Sequence, residues 1–127
     1  MKKFFSLWLP MIFWAGFIFY LSSLQVKPPT GTFLDLVLPY LVHLTEYGIL
    51  FILIWRVNKK VGLCLILGVL YAFSDELHQA FVPGRTPDII DVLTDILGML
   101  TVWMIIWKLL PKAPLKLKNL AKTWQIS

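Results

Sequence analysis

Four apolar runs, each long enough to cross a membrane as a helix, constrain this chain more than any other feature of its sequence. A transmembrane helix needs about 20 consecutive, mainly apolar residues. The runs extend over Phe4–Val26, Leu36–Trp55, Val61 to about Val82, and about Asp88 to Trp107. They predict an all-α, polytopic membrane protein built as a four-transmembrane-helix bundle.

The first run also has a feature of a secretory signal peptide, because Lys2 and Lys3 precede it. A signal peptide has a shorter apolar core and ends in an A-x-A-like cleavage site, which this segment lacks. We therefore expect the first helix to be retained. Pro10 is expected to bend it, whereas Pro39 fits the first turn of the second helix, where no backbone donor is needed.

Composition supports a membrane protein of one domain. Hydrophobic residues make up 58% of the 127 residues and charged residues only 15%, whereas soluble domains carry about 25% charged residues. The length allows a membrane domain over residues 1–110 and a basic cytoplasmic tail over 111–127. The net charge of +5 does not indicate nucleic acid, because the basic residues flank apolar runs without any recognition-helix or RNA-binding motif. Cys64 is the single cysteine, so no intrachain disulfide is expected.

Basic residues also predict the orientation of the helices. With the N-terminus inside, ten of the twelve Lys and Arg residues lie on the cytoplasmic side, and only Lys27 and Arg85 lie outside. Cytoplasmic loops of membrane proteins carry the excess of Lys and Arg, which predicts N-in and C-in. Residues 27–32 are expected to form a loop, and Phe33–Leu38 could lie on the membrane surface. The tail after Pro111 is compatible with binding to anionic lipid or with simple solvation.

Ionisable residues inside the apolar runs are the candidate functional groups. His43, Glu46, Asp75 and Asp95 come from three helices and lie at similar depth when counted from the nearest basic residues. An embedded carboxylate costs about 2.5–3.5 kcal/mol even on the mildest scale, so these groups are expected to face one another or a wet cavity. All seven acidic residues fall in the outer half or the outer loops: Asp35, Glu46, Asp75, Glu76, Asp88, Asp91 and Asp95.

Helical spacing predicts that these groups share one site. His43, Glu46 and Tyr47 fall on one face of the second helix. The fourth helix contributes a stripe of Asp88, Asp91, Asp95 and Gly98. The third helix contributes the face of Asp75, His78 and Gln79, with Glu76 rotated away. The end of the first helix contributes Ser22 and Ser23. Gly98 would let another helix approach closely.

Structural roles explain some of these residues equally well. Asp88 and Asp91 are also suited to start a helix, where carboxylates favour the positive dipole end. Arg85 fits a structural counter-ion for Asp75 or Asp88. His78 alone is typical of an interfacial histidine.

One long motif is specific to a known family. The run Tyr71–Arg85, which reads YAFSDELHQAFVPGR, is followed by Asp88 and Asp91, and together they strongly resemble the signature of VanZ-like proteins. The segment His43–Gly48, HLTEYG, and the pair Ser22–Ser23 are similar to other parts of that family. The resemblance covers nearly the whole chain except the tail. It implies a multi-pass protein of the bacterial cytoplasmic membrane that is associated with resistance to glycopeptides such as teicoplanin.

Two hypotheses for the site stay open. In the first, the cavity acts on a cell-wall or lipid-linked precursor, with Glu46, Asp75, His78, Asp91 and Asp95 as acid–base candidates. The proposed substrate-binding groups are His43, Gln79, Arg85, Ser22 and Ser23. In the second, a non-catalytic site binds such a precursor or the glycopeptide, or relays protons for a partner protein.

No cofactor is predicted, because no nucleophile elbow, phosphate loop or H-E-x-x-H pair is present. A divalent metal remains an alternative, since five of the site residues are acceptable ligands: His43, Glu46, Asp75, His78 and Asp91. No oligomeric state is predicted, and the expected surroundings are the lipid bilayer.

Overall fold

The computed structural model describes residues 2–25 and 31–126, and within them it is all-helical. A π-helical turn, Ile105–Leu109, and a 3₁₀ turn, Leu110–Lys112, extend the fourth helix. Four helices are long and apolar enough to cross a membrane, which confirms the predicted four-span fold. The α-helices are α1 (Lys2–Ser22), α2 (Phe33–Val57), α3 (Val61–Gln79), α4 (Ile89–Met104) and α5 (Leu115–Thr123).

Helix α2 begins earlier than its apolar run indicates. Thr32 caps it: the Thr32 hydroxyl accepts from the Asp35 N–H at 3.3 Å, and the Asp35 carboxylate accepts from the Thr32 N–H at 3.1 Å. This reciprocal capping box satisfies two backbone donors that a helix start leaves unpaired. The predicted surface segment 33–38 is therefore continuous with α2, and Pro39 lies inside the helix rather than in its first turn. Residues 27–30 of the predicted loop, and Val26 at the end of the first apolar run, lie outside the described residues.

Pro10 lies within α1 and leaves one carbonyl of that helix without its usual backbone donor. A proline inside a helix cannot donate to the carbonyl four residues earlier, which here is that of Ser6. Arg56, at the last turn of α2, directs Nη2 toward the Ser6 oxygen at 3.5 Å.

Helix α2 is the central helix and packs against α1, α3 and α4. Its buried Tyr47 and Phe51 form the core together with Ile18 of α1 and Met99 of α4. The closest approach is between α2 and α4. A Cβ added at Gly98 would lie 3.0 Å from the Leu44 Cα and still closer to the Leu44 carbonyl oxygen, which confirms that Gly98 allows close helix approach.

The tail folds back on the bundle as α5. Its C-terminus is a Schellman motif: Ile126 N–H bonds Ala121 O at 2.8 Å, Gln125 N–H bonds Lys122 O at 3.0 Å, and Gln125 has a φ of 56°. The Ile126 carbonyl then accepts from the Trp55 indole at 2.7 Å. Lys59 donates to the Gln125 carbonyl, so the tail is tied to the α2–α3 turn.

The two ends of the bundle differ in charge. The acidic end is where α1 and α3 stop and where α2 and α4 begin, and the carboxylates of α2, α3 and α4 lie there. The basic end carries the α2–α3 turn, the end of α4 and the tail. Its charged residues are Arg and Lys.

Candidate functional site

At the acidic end, α1 and α3 are joined through Asp75. The Ser22 hydroxyl donates to Asp75 Oδ2 at 2.7 Å. The Gln79 amide, one turn further along α3, donates to the same oxygen at 3.3 Å. All three residues are buried, and Asp75 is only 3% exposed. The predicted convergence of Ser22, Asp75 and Gln79 is therefore observed as one hydrogen-bonded group.

Arg85 lies in the α3–α4 turn and extends this group to the end of α1. Its Nε donates to Leu24 O at 3.2 Å, its Nη2 to Leu21 O at 3.1 Å, and its Nη1 to Gln79 Oε1 at 3.4 Å. The last carbonyls of a helix lack backbone partners, and the guanidinium supplies donors to them. Among the described residues Arg85 forms no direct ion pair with Asp75 or Asp88; it is linked to Asp75 through Gln79.

A second group joins α2 to α4 through His43. Its Nδ1 lies 3.0 Å from Asp95 Oδ1, and its Nε2 lies 3.8 Å from Asp91 Oδ2. Because an ionised carboxylate can only accept, Nδ1 carries a proton when Asp95 is ionised. The Asp95 side chain is 2% exposed and the Asp91 side chain 19% exposed. The imidazole thus lies between a buried and a partly accessible carboxylate.

Glu46 lies one turn after His43 on the same side of α2 and is 8% exposed. Within the described residues its Oε1 has no hydrogen-bond partner, and the same is true of Asp75 Oδ1 and of the Tyr47 hydroxyl. A buried polar atom without a partner costs about 1–3 kcal/mol, and more when the group is charged. The site therefore holds two carboxylate oxygens that lack a donor.

Glu76 is rotated away from the Asp75 group, as expected, but it is buried in a second contact. It is 9% exposed, and its Oε1 accepts the backbone N–H of Asp88 at 2.6 Å. Asp88 in turn caps α4, since its Oδ1 accepts the Ile90 N–H at 2.9 Å, which confirms its helix-starting role. Glu76 follows Asp75 directly, but only the path of the α3–α4 turn brings Asp88 back to it.

His78 lies apart from Asp75 and contacts α1. Its Nε2 is 2.9 Å from the Ser23 hydroxyl, and its ring stacks on Phe19 at a centroid distance of 4.0 Å. The Ser23 hydroxyl donates to the Phe19 carbonyl at 2.7 Å. A hydroxyl has one proton, so His78 Nε2 is the donor in this arrangement.

Metal-ligand geometry is absent from residues 2–25 and 31–126: no three His, Cys, Asp or Glu side chains there are placed to hold an ion. The residues that are acceptable ligands are divided among the Asp75, His43 and His78 groups.

Four helices able to cross a bilayer, with buried carboxylates gathered at one end, indicate a multi-pass membrane protein with a cluster of buried polar groups. The model of the VanZ/LLP1 family matches residues 5–111, nearly the whole chain, and the protein belongs to that family. This confirms the family indicated by the motif. No curated protein and no solved structure matches the chain significantly.

Proposed function

We propose that this VanZ/LLP1 protein resides in the bacterial cytoplasmic membrane with both termini in the cytoplasm. Its acidic-end site binds, or acts on, the headgroup of a cell-wall or lipid-linked precursor, or a glycopeptide. The basic residues at the opposite end support this orientation by the positive-inside rule. In this orientation the site opens to the outer leaflet, and binding there contributes to resistance against teicoplanin-type antibiotics.

The observation that carries the proposal is the pair of donor-less carboxylate oxygens, Glu46 Oε1 and Asp75 Oδ1. Neither oxygen is paired within the described residues, and burial makes such an oxygen costly. A ligand that brings hydroxyl, amide or ammonium donors would satisfy both. Sugar and peptide headgroups of envelope precursors carry these donors.

The surrounding residues have complementary roles in the proposal. Arg85 has five N–H donors, of which three are used by the protein. The other two suit a phosphate or carboxylate of the ligand. The remaining proposed binding groups are Ser22, Ser23, His43 and Gln79.

An enzymatic form of the proposal uses the same groups for proton transfer. Glu46 and Asp75 have the free oxygens that a general acid or base requires. Asp95 and Asp91 would orient His43, and His78 would serve at the α1 side. No nucleophile motif accompanies them, so the reaction class would be acid–base chemistry on the bound headgroup.

A specific arrangement favours proton relay as a second candidate function. Asp91, His43 and Asp95 form a series from a partly accessible carboxylate to a buried one, with separations of 3.8 and 3.0 Å. Chains of Asp, Glu and His inside membranes commonly conduct protons in pumps and transporters. In this role the chain would serve a partner protein and need no ligand in the site.

The decisive variant is Glu46→Gln, which keeps the side-chain volume and removes the charge. A lost hydrogen bond to a charged group is worth about 1.5–3 kcal/mol, or about 10- to 150-fold in affinity. We expect Glu46→Gln to abolish teicoplanin resistance in a sensitised host at wild-type abundance, and to lose lipids with sugar or peptide headgroups that copurify with the wild type. Lipid extraction with mass spectrometry measures the second effect.

The matched control is Thr45→Val at the neighbouring position, because Thr45 is exposed and its hydroxyl bonds only to Leu41 O of its own helix. It should keep both resistance and copurifying lipid. Full resistance of Glu46→Gln at normal abundance would contradict the binding proposal. Loss of resistance in His43→Gln with the lipid retained would favour the proton relay.

A further inference from the structure

A groove of about 400 Å³ lies at the basic end, remote from the acidic-end site. It runs between the end of α4 and the tail. Its lining is mainly aromatic and aliphatic, and its charged lining residues are two lysines of α5. The residues used in the argument are Trp55, Trp103, Ile106, Trp107, Lys118 and Lys122.

The groove is formed by contacts within the protein. Trp103 and Trp107 stack with ring centroids 5.7 Å apart and make one wall. The opposite wall is α5, which the Trp55 indole fixes by its 2.7 Å bond to the Ile126 carbonyl. Lys118 and Lys122 are one helical turn apart, so they lie on the same face of α5.

We propose that this groove binds one anionic phospholipid of the surrounding leaflet. An acyl chain lies against the tryptophans and Ile106, and the phosphate lies at Lys118 and Lys122. Charge complementarity supports this occupant, since no acidic residue lines the groove and the carboxylates of α2, α3 and α4 lie at the other end of the bundle. Tryptophan is enriched at the membrane–water interface, the depth of a lipid phosphate.

The test uses the full-length chain in detergent micelles, titrated with dioleoyl phosphatidylglycerol or with dioleoyl phosphatidylcholine. Native mass spectrometry counts the bound lipids. We expect one phosphatidylglycerol per chain, bound about 10-fold more tightly than phosphatidylcholine, since each lysine near a membrane surface contributes on the order of a fewfold in affinity. Lys118→Gln/Lys122→Gln should lower phosphatidylglycerol binding about 10- to 30-fold.

The control removes the same charge from the same tail. Lys112→Gln/Lys116→Gln changes two exposed lysines outside the groove and should leave binding unchanged. Ile106→Trp narrows the groove without changing charge and should reduce binding of both lipids. Circular dichroism of each variant verifies that the helices are retained.

Several outcomes would overturn the proposal. An equal loss of phosphatidylglycerol binding in the two double-lysine variants would mean unspecific attraction of lipid to a basic tail. Undiminished binding in Ile106→Trp would exclude the groove as the acyl-chain site. A chain purified from its membrane with a polyprenyl phosphate, or with a partner peptide in place of phosphatidylglycerol, would assign the groove to that other occupant.

Discussion

The imidazole Nδ1 of His43 lies 3.0 Å from Oδ1 of Asp95, and this contact joins α2 to α4 at the acidic end of the bundle. Both residues are buried, at 8% and 2% exposure. The pair therefore links the geometry of the acidic-end site to the stability of the fold.

A double-mutant cycle measures that link. We expect His43→Ala and Asp95→Ala each to lower the free energy of unfolding, because each leaves a buried polar partner unpaired. In the double variant the losses should not add, with a coupling energy of about 1–3 kcal/mol. Steric trapping in bicelles provides the unfolding free energies.

Thr94→Ala is the control for this cycle, since the Thr94 hydroxyl bonds to Ile90 O of its own helix. Its coupling to His43→Ala should stay below about 0.5 kcal/mol. Additive losses for His43 and Asp95 would mean that the contact contributes nothing to stability.

The glycine at the α2–α4 crossing lets the two helices approach closely, near the contact between His43 and Asp95. Gly98 lies one turn from Asp95, and a Cβ at this position would collide with the backbone of Leu44, next to His43. Backbone cannot yield as a flexible side chain does, so Gly98→Ala should separate the helices and cost about 1–3 kcal/mol.

Gly16→Ala is the matched substitution, because a Cβ there meets nothing within 4 Å. It should cause no loss of stability. Unfolding free energies measured side by side, with the His43 ring resonances as a probe of the site, check both expectations. A Gly98→Ala protein as stable as Gly16→Ala would show that the helices can adjust.

The spanning helices could be predicted from the sequence because any helix buried in lipid needs a long apolar run, whatever it packs against. The start of α2 was misplaced at Leu36 because hydropathy does not register a helix cap. The signal was present, since Thr32 and Asp35 have the spacing of a capping box. The tail helix α5 was not predicted, and the left-handed Gln125 that follows it and its tie to Trp55 are features that no local pattern reveals.

The burial of four ionisable residues near one end of the bundle could be predicted, but their pairing could not. Depth and spacing grouped His43, Glu46, Asp75 and Asp95, because the cost of an isolated charge in lipid applies to each residue separately. Which residues bond depends on helix rotation and on the α3–α4 turn. That is why His78 pairs with Ser23 rather than with Asp75.

The orientation prediction is tested by reporter fusions. Phosphatase fused after Lys27 or Pro83 should be active, whereas phosphatase fused after Lys59 or at the C-terminus should be silent, because the enzyme matures only outside the cytoplasm. The reason is the excess of Lys and Arg at the basic end. Activity after Lys59 together with silence after Pro83 would reverse the orientation and place the polar site in the inner leaflet.

Arg85 provides the last prediction, since its three nitrogens donate to three acceptors: Leu21 O, Leu24 O and Gln79 Oε1. Lysine keeps the charge but has one nitrogen, which cannot reach acceptors spread over two elements. We therefore expect Arg85→Lys to lose about 1–3 kcal/mol of unfolding free energy, close to the loss in Arg85→Ala.

Arg56→Lys is the matched control, because Arg56 makes a single 3.5 Å contact to Ser6 O and a contact to the Trp124 ring, both of which an ammonium can replace. It should change stability by less than about 0.5 kcal/mol.

Measuring the stability, membrane abundance and resistance of Arg85→Lys separates a structural role of Arg85 from an anion-binding role. Wild-type stability with lost resistance would make Arg85 an anion-binding group alone, whereas wild-type stability with full resistance would remove it from both the fold and the site. A loss of stability together with resistance, as expected here, follows from a guanidinium that holds α1 against the α3–α4 turn.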